Sequence, residues 1–454
     1  MTTEQHHAPW RARLGFGVGG FGVALVYATI GVLLLYFYTR VLGMRSDQAG
    51  TILAIGALSD AILDPIVGWL AGRTDTRWGR YRPYLLFGGI PLSFALVAVF
   101  LDPGLDGQSL FLYCLVTLTI FRAAFQFIYM PYTSLVVVLT RDADERSDIE
   151  GWRAWFIAAG QLIVSFGALS AIDWLGAGDD RRGFLLLAVV FATMTAASFM
   201  FTGIVTREIR SGGHARDVSD PRRIAQLLWK NDQFRIVVVA TLACQTGYAV
   251  LLSGALPFVE QAFGHRELSR WPLTALTASA LLASFLWPAV SRRYGKRATW
   301  ISGASLAVVA LCATYFFALS SIWLLVAGFF VIGIAAQAVL IMQFAAAADS
   351  LDYGHWKLGE RTEAVGFAMM TLASKVSMAI GNGLLGWCYH YVGYPDAPDG
   401  KASMLDGMLL VYLGLPIAAY LIAIYFLRGY MLTADMHRQL IVELDARHAA
   451  APAE

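Results

Sequence analysis

SDAILDPIVGWLAGRTDTRWGRYRPY, residues 59–84, passes from an apolar run broken by two acids into a glycine-containing loop with four arginines. Followed backwards, the apolar run begins near residue 48, so that 48–72 is long enough to cross a hydrocarbon core of ~30 Å. Arginines gathered at one end of such a run mark a cytoplasmic flank. The stretch therefore reads as a membrane span carrying two buried carboxylates, followed by an inner loop.

The rest of the chain repeats the pattern. Of 454 residues, 57% are hydrophobic and only 15% are Asp, Glu, Lys or Arg, against roughly 25% charged in soluble domains. A soluble protein has nowhere to bury that much apolar surface; a bundle of lipid-facing helices requires it. Apolar runs fall at 14–39, 48–72, 83–101, 109–140, 154–174, 183–206, 236–258, 271–291, 299–318, 321–347, 362–390 and 405–427, which predicts an all-α integral membrane protein of twelve spans. The runs at 109–140 and 362–390 exceed the bilayer thickness and are expected to tilt or project. With both termini cytoplasmic, 25 of the 34 Lys and Arg lie in inner segments and 7 in outer ones, with Arg122 and Lys375 inside spans; that asymmetry sets the expected orientation.

The net charge of +2 offers no basic field for nucleic acid. Cys114, Cys244, Cys312 and Cys388 all sit in apolar runs, with no disulfide or zinc spacing, and the eight histidines form no metal pattern. The first apolar run lacks a cleavage site and reads as a retained span. No P-loop or Ser-His-Asp arrangement supports a primary pump or a membrane hydrolase. The expectation is a non-enzyme that needs no cofactor, takes a small-molecule substrate, lies in the lipid bilayer and implies no obligate protein partner. The longest polar interruption, 207–235, separates spans six and seven. It divides the chain into a first half (1–206), a central loop (207–235), a second half (236–427) and a tail (428–454). SRRYGKRAT after the eighth span is a faint counterpart of GRTDTRWGRYRP after the second. Transporters built of such halves hold their substrate near the bilayer midplane.

Two constellations carry chemistry. Asp60 and Asp64, four residues apart, share one helix face with Cβ atoms roughly 5–6 Å apart. Each acid at membrane depth costs about 2.5–3.5 kcal/mol. Two close carboxylates cannot comfortably both stay ionised and unpaired, so they share a proton or bind a cation, unless one of them serves only to cap or pair a neighbouring helix. In the fourth span, Arg122, Gln126, Tyr129 and Thr133 form one polar stripe, which must face the bundle or a wet cavity. Arg122 either grips an anionic group on the substrate or neutralises Asp60 or Asp64; both readings stand on the sequence.

The stretch 59–83, the block ADSLDYGHWKLGERTEAVGFAMMTLASK at 348–375 and YFYTRVLG at 36–43 occur together in order. They resemble the signatures of the glycoside-pentoside-hexuronide:cation symporters, the melibiose-permease-like branch of the major facilitator superfamily. The resemblance covers essentially the whole chain and implies two six-helix halves that take up a sugar-like solute with H⁺ or Na⁺ by alternating access. It assigns Asp60 and Asp64 to the coupling cation, with Gln126 where a hydroxyl ligand is expected, and matches Lys375 and Arg153 to family residues of the eleventh and fifth spans. Departures matter equally. Ala24 and Tyr129 replace two acids that contact galactoside hydroxyls in melibiose-type members, Thr133 replaces an aromatic platform, and Leu63 replaces an amide found in sodium-using relatives. Fewer oxygens suit Na⁺ poorly, which leans the expectation toward H⁺. Loss of two acids beside Arg122, Arg153 and Lys375 leaves an electropositive cavity suited to a uronate or sulfonate. Tyr27, one turn beyond the missing first-span acid, is the best aromatic candidate for stacking on a sugar face.

In the superfamily, the loop after the second span clamps the inner ends of helices through ion pairs. Asp75, Arg77, Arg80 and Arg82, with Glu150 as a partner from the next inner loop and Arg361 in the equivalent mixed-charge stretch of the second half, are the expected cytoplasmic gate, beside the positive-inside topology that such charges also serve. Competing readings are a symporter of a non-sugar or amphiphilic anion, and a transport-incompetent nutrient sensor. Retention of the Asp60/Asp64 pair argues against the sensor.

Overall fold

The structure, a computed structural model, describes residues 10–140, 143–208, 221–317, 319–359, 362–396 and 400–450. Twelve long helices follow in order: α1 (Trp10–Tyr36), α2 (Ser46–Arg73), α3 (Arg82–Val99), α4 (Gly107–Leu139), α5 (Ala143–Leu162, continued as Ala168–Gly176), α6 (Asp180–Val205), α7 (Asp232–Phe263), α8 (Arg270–Tyr294), α9 (Lys296–Phe317), α10 (Ile322–Leu358), α11 (Glu363–Tyr391) and α12 (Lys401–Leu427). A short helix, Pro221–Lys230, precedes α7, and a tail helix, Ala434–Ala450, follows α12. Among the described residues, eleven helices are long and apolar enough to cross a membrane. The run expected at 362–390 forms α11, along which Lys375 and Asn382 are buried.

Helix ends follow local chemistry. Asp179 caps α6 by accepting from the Arg182 N–H, and Pro83 sits in the first turn of α3, where its missing N–H is harmless. One boundary differs from the sequence reading. α10 does not stop at 347; its 37 residues run on through ADSLDYGHWKL to a left-handed Gly359 (φ 78°). Nothing in that stretch breaks a helix, and glycine then supplies the stop. Two π turns interrupt the regular pattern, at Phe37–Val41 after α1 and at Ile163–Gly167 within α5.

The chain forms two compact units. The first comprises 1–214 with 252–277 and 382–408, and the second 215–251 with 278–381 and 409–454. In the first, α1 packs on α5 and α6, α2 on α4, and α3 on both α4 and α6. In the second, α9 packs on α10, which also carries the tail helix.

Candidate functional site

The α2–α4 contact places the charged residues of the two constellations against each other. Arg122 Nη1 meets Asp60 Oδ2 at 2.6 Å, with Asp60 only 2% and Arg122 4% exposed. Gly56, one turn before Asp60, makes room for this. A Cβ there would lie 2.9 Å from the Leu118 side chain and 3.8 Å from Arg122 Nε, so a larger residue would push α4 away. Gln126, one turn beyond Arg122, is fully buried. Among the described residues, Arg122 Nε has no hydrogen-bond partner. One face of the guanidinium is thus occupied by Asp60, while a buried donor is left unused, a costly arrangement in a low-dielectric interior.

Further along the stripe, the stacked rings of Phe125 and Tyr129 (5.5 Å between centroids) receive Tyr27 of α1 edge-on, at 5.2 and 5.9 Å. Asp64 is half-buried on α2, and Tyr129 lies within electrostatic reach of Asp64, Arg153 and Glu150. Thr133 is half-buried and donates to Met130 O of its own helix at 3.0 Å. Arg153 pairs with Glu150 one turn earlier at 2.7 Å. Tyr27, Asp60, Asp64, Arg122, Gln126, Tyr129, Thr133 and Arg153 therefore all belong to the first unit, whereas Lys375, 7% exposed, belongs to the second. The set in the first unit combines a neutralised buried ion pair, a second carboxylate one turn away and an aromatic wall. That combination can bind a polar solute with a flat apolar face and also hold a cation or proton.

The MFS/sugar transport protein family matches residues 15–434. The chain belongs to this family. The inner membrane symporter YicJ of Escherichia coli (strain K12) is 26% identical, over 96% of this chain and 94% of its own length. The putative glycoside/cation symporter YagG of the same organism is 27% identical, over 97% and 96%. A crystal structure of the nucleoside transporter NupG, 13% identical, superposes with a TM-score of 0.68 over 94% of this chain and all of that one; at that identity the likeness establishes the fold alone. These findings agree with the resemblance read from the motifs. The fold is that of the major facilitators, twelve helices in two halves, and the protein is a transporter, not an enzyme.

In this sugar-transport family member, contacts to the backbone hold the loop after α2 among the described residues. Glu208, just past α6, accepts from three successive backbone N–H groups, those of Arg80 (2.7 Å), Tyr81 (2.8 Å) and Arg82 (2.9 Å). Gly79, at φ 113°, shapes this nest, and a Cβ there would strike the Glu208 carboxyl carbon at 2.6 Å. Arg82 Nε donates to Gly203 O of α6 at 2.8 Å, while Arg77 lies over the Trp78 ring at 4.1 Å. Asp75 is exposed, and Arg361 falls outside the described residues. In the sequence Glu208 lies within the polar segment 207–235, and an acid placed immediately after a span, within a basic stretch, is the signal that marks it.

The sequence also gave no hint of the far end of the first unit, remote from residue 10. Arg266 forms a fork to Asp180 (2.6 Å) and also meets Asp173; Glu260 accepts from Tyr36 Oη (2.9 Å) and pairs with Arg40 (3.3 Å). Arg45 binds Asp47 at 2.6 Å and lies 3.2 Å from His390 Nε2, and Ser46 donates to Tyr394 O at 3.0 Å. These bonds tie the ends of α1, α2, α5 and α6 to the end of α7, the start of α8 and the end of α11. The second unit has its own charge set, in which Lys296 meets Asp349 (2.6 Å), Lys357 meets Asp232 (2.7 Å) and His437 meets Asp352 (2.9 Å).

Proposed function

We propose that this chain takes up a sugar, glycoside or hexuronide together with a cation by alternating access of its two halves, 1–206 and 236–427, joined by 207–235 and followed by the 428–454 tail. The observation that carries the reading is the buried Asp60–Arg122 pair at 2.6 Å with Asp64 one turn further along the same helix. Ionisable groups at this depth mark transport pathways. Asp60 is held by Arg122, so gain and loss of the coupling ion fall to Asp64, assisted by Gln126. The ion is H⁺ rather than Na⁺, since Leu63 and Gln126 offer too few hard oxygens for a sodium shell. Tyr27 and Tyr129 flank the solute, Thr133 and Arg153 border its polar side, and Lys375 is assigned to it on the family pattern. The names of the relatives, a symporter of the inner membrane and a glycoside/cation symporter, support the same reading. The 25-to-7 distribution of positive charge supports cytoplasmic termini. On that orientation the Glu208 nest, with Asp75, Arg77, Arg80, Arg82, Glu150 and Arg361, forms the cytoplasmic gate, and the Arg266 and Glu260 bonds form the external one.

The test is accumulation in proteoliposomes. Solute should concentrate above the external level under an imposed proton gradient and equilibrate when that gradient is collapsed, with sodium gradients having no effect. Asp64→Asn should exchange solute without concentrating it; a variant that still accumulates would overturn the coupling assignment.

The unused Nε of Arg122 favours a second reading, in which the solute itself carries a carboxylate or sulfonate that completes the guanidinium. Competition by matched neutral glycosides and uronides separates the two, preference for the neutral compound removing the anionic one.

A further inference from the structure

Within the second unit, a groove of about 570 Å³ is lined by apolar side chains that include Leu228, Val238, Val239, Leu242, Met369 and Phe426. It opens where the short helix PRRIAQLLWK, residues 221–230, turns into α7, so its floor is membrane-span surface and its rim is the water interface. The rim is amphipathic. Trp229 and Arg235 line the groove, Trp229 is 70% exposed with the Arg235 guanidinium 6.0 Å from its ring, and Lys230, next to Trp229 in sequence, is exposed. The acid on this rim, Asp232, is already answered by Lys357 at 2.7 Å and by Gln233 Nε2 at 2.8 Å. The local surplus is therefore positive, and it crowns a slot that hydrocarbon would fill.

We infer that this groove is a binding site for an anionic glycerophospholipid, with an acyl chain in the slot and the phosphate and acidic headgroup on Arg235 and Lys230. Three properties select this occupant. The slot is too apolar to reward a polar solute or a free phosphate. The rim residues stand at the depth where headgroups lie, with an indole at the interface as membrane proteins commonly place it. Two cations whose neighbouring acid is neutralised discriminate against a zwitterionic head, each basic residue near an anionic surface contributing about 1 kcal/mol, a factor of about five in affinity. The short helix adds an interfacial anchor, burying Leu228 while presenting Trp229 outward. None of these residues belongs to the substrate and coupling set, so the site stands or falls independently of the transport reading.

The experiment is native mass spectrometry of the full-length purified protein titrated with phosphatidylglycerol, with phosphatidylcholine of identical chains, and with glycerol phosphate alone. Phosphatidylglycerol adducts should persist at activation energies that strip phosphatidylcholine, and glycerol phosphate should not bind. Arg235→Gln should weaken phosphatidylglycerol about fivefold, and Arg235→Gln with Lys230→Gln should erase the preference over phosphatidylcholine. Val239→Phe, which fills the slot without touching charge, should weaken both lipids. Unfolding temperature and solute exchange, measured on each variant, separate loss of the site from loss of the fold. Equal retention of the two lipids by the unaltered protein, undiminished preference in the doubly neutralised variant, or binding of glycerol phosphate as tight as that of the lipid would each overturn the assignment.

Discussion

At the scale of single residues, the decisive contact is the one between Arg122 and Asp60. Removing one partner of a buried pair leaves an uncompensated charge, which destabilises by about 3–5 kcal/mol. Arg122→Ala is therefore expected to lower the unfolding temperature sharply in detergent. Arg122→Gln combined with Asp60→Asn should be far less damaging than the sum of the two single changes, because both charges leave together. Simple additivity in that cycle would mean that the 2.6 Å contact contributes nothing. This pairing was one of two options visible in the sequence: the spacing put Arg122 on an inward stripe, but periodicity within one helix cannot say which residue of a neighbouring helix it meets. Gly56 decides that by letting α4 come close to α2.

At the scale of elements, the α2–α3 turn and the far-end ion pairs make separate predictions. Glu208→Ala strips three backbone N–H groups of their acceptor, each unmet donor costing about 1–3 kcal/mol where water is excluded. Amide exchange at Arg80, Tyr81 and Arg82 should accelerate while that of α4 stays unchanged, and unaltered exchange at the turn would show that solvent already serves these groups. At the far end, Arg266→Gln removes a guanidinium shared by Asp173 and Asp180. Ser269→Cys, at a fully buried position, gives the readout. Its labelling by a water-soluble maleimide, in a background without the half-buried Cys312 and Cys388, should rise in the Arg266→Gln protein, and unchanged labelling would show that these ion pairs do not hold the end shut. The helices themselves were readable because hydrophobic runs of bilayer length leave few alternatives. The end of α10 was not, since 348–358 is polar but still helix-forming, and hydropathy reports solvent rather than backbone conformation. The far-end bonds were invisible for another reason: they join residues as far apart as Tyr36 and Glu260, 224 positions, and Ser46 and Tyr394, 348 positions, and single-sequence composition treats such residues only as local loop chemistry.

At the scale of the whole molecule, composition excluded soluble folds, and the 25-to-7 split of positive charge between alternate inter-span segments carried more information than the net +2. The inward placement of Asp60 and Arg122 was legible because charge inside a span is too expensive to face lipid; the Glu208 contacts were not, because an acid in a loop is ordinary until the backbone around it is known. That residue also has a consequence for how the protein can be assembled. Glu208 is stitched to the 80–82 backbone, and Asn231, through its side-chain amide, to Ser350 O at 2.6 Å. Each described end of the 207–235 connection is thus fastened to the half it adjoins. Two polypeptides, one ending and the other starting within 209–220, should reconstitute solute uptake when expressed together, whereas a break placed before Glu208 should not.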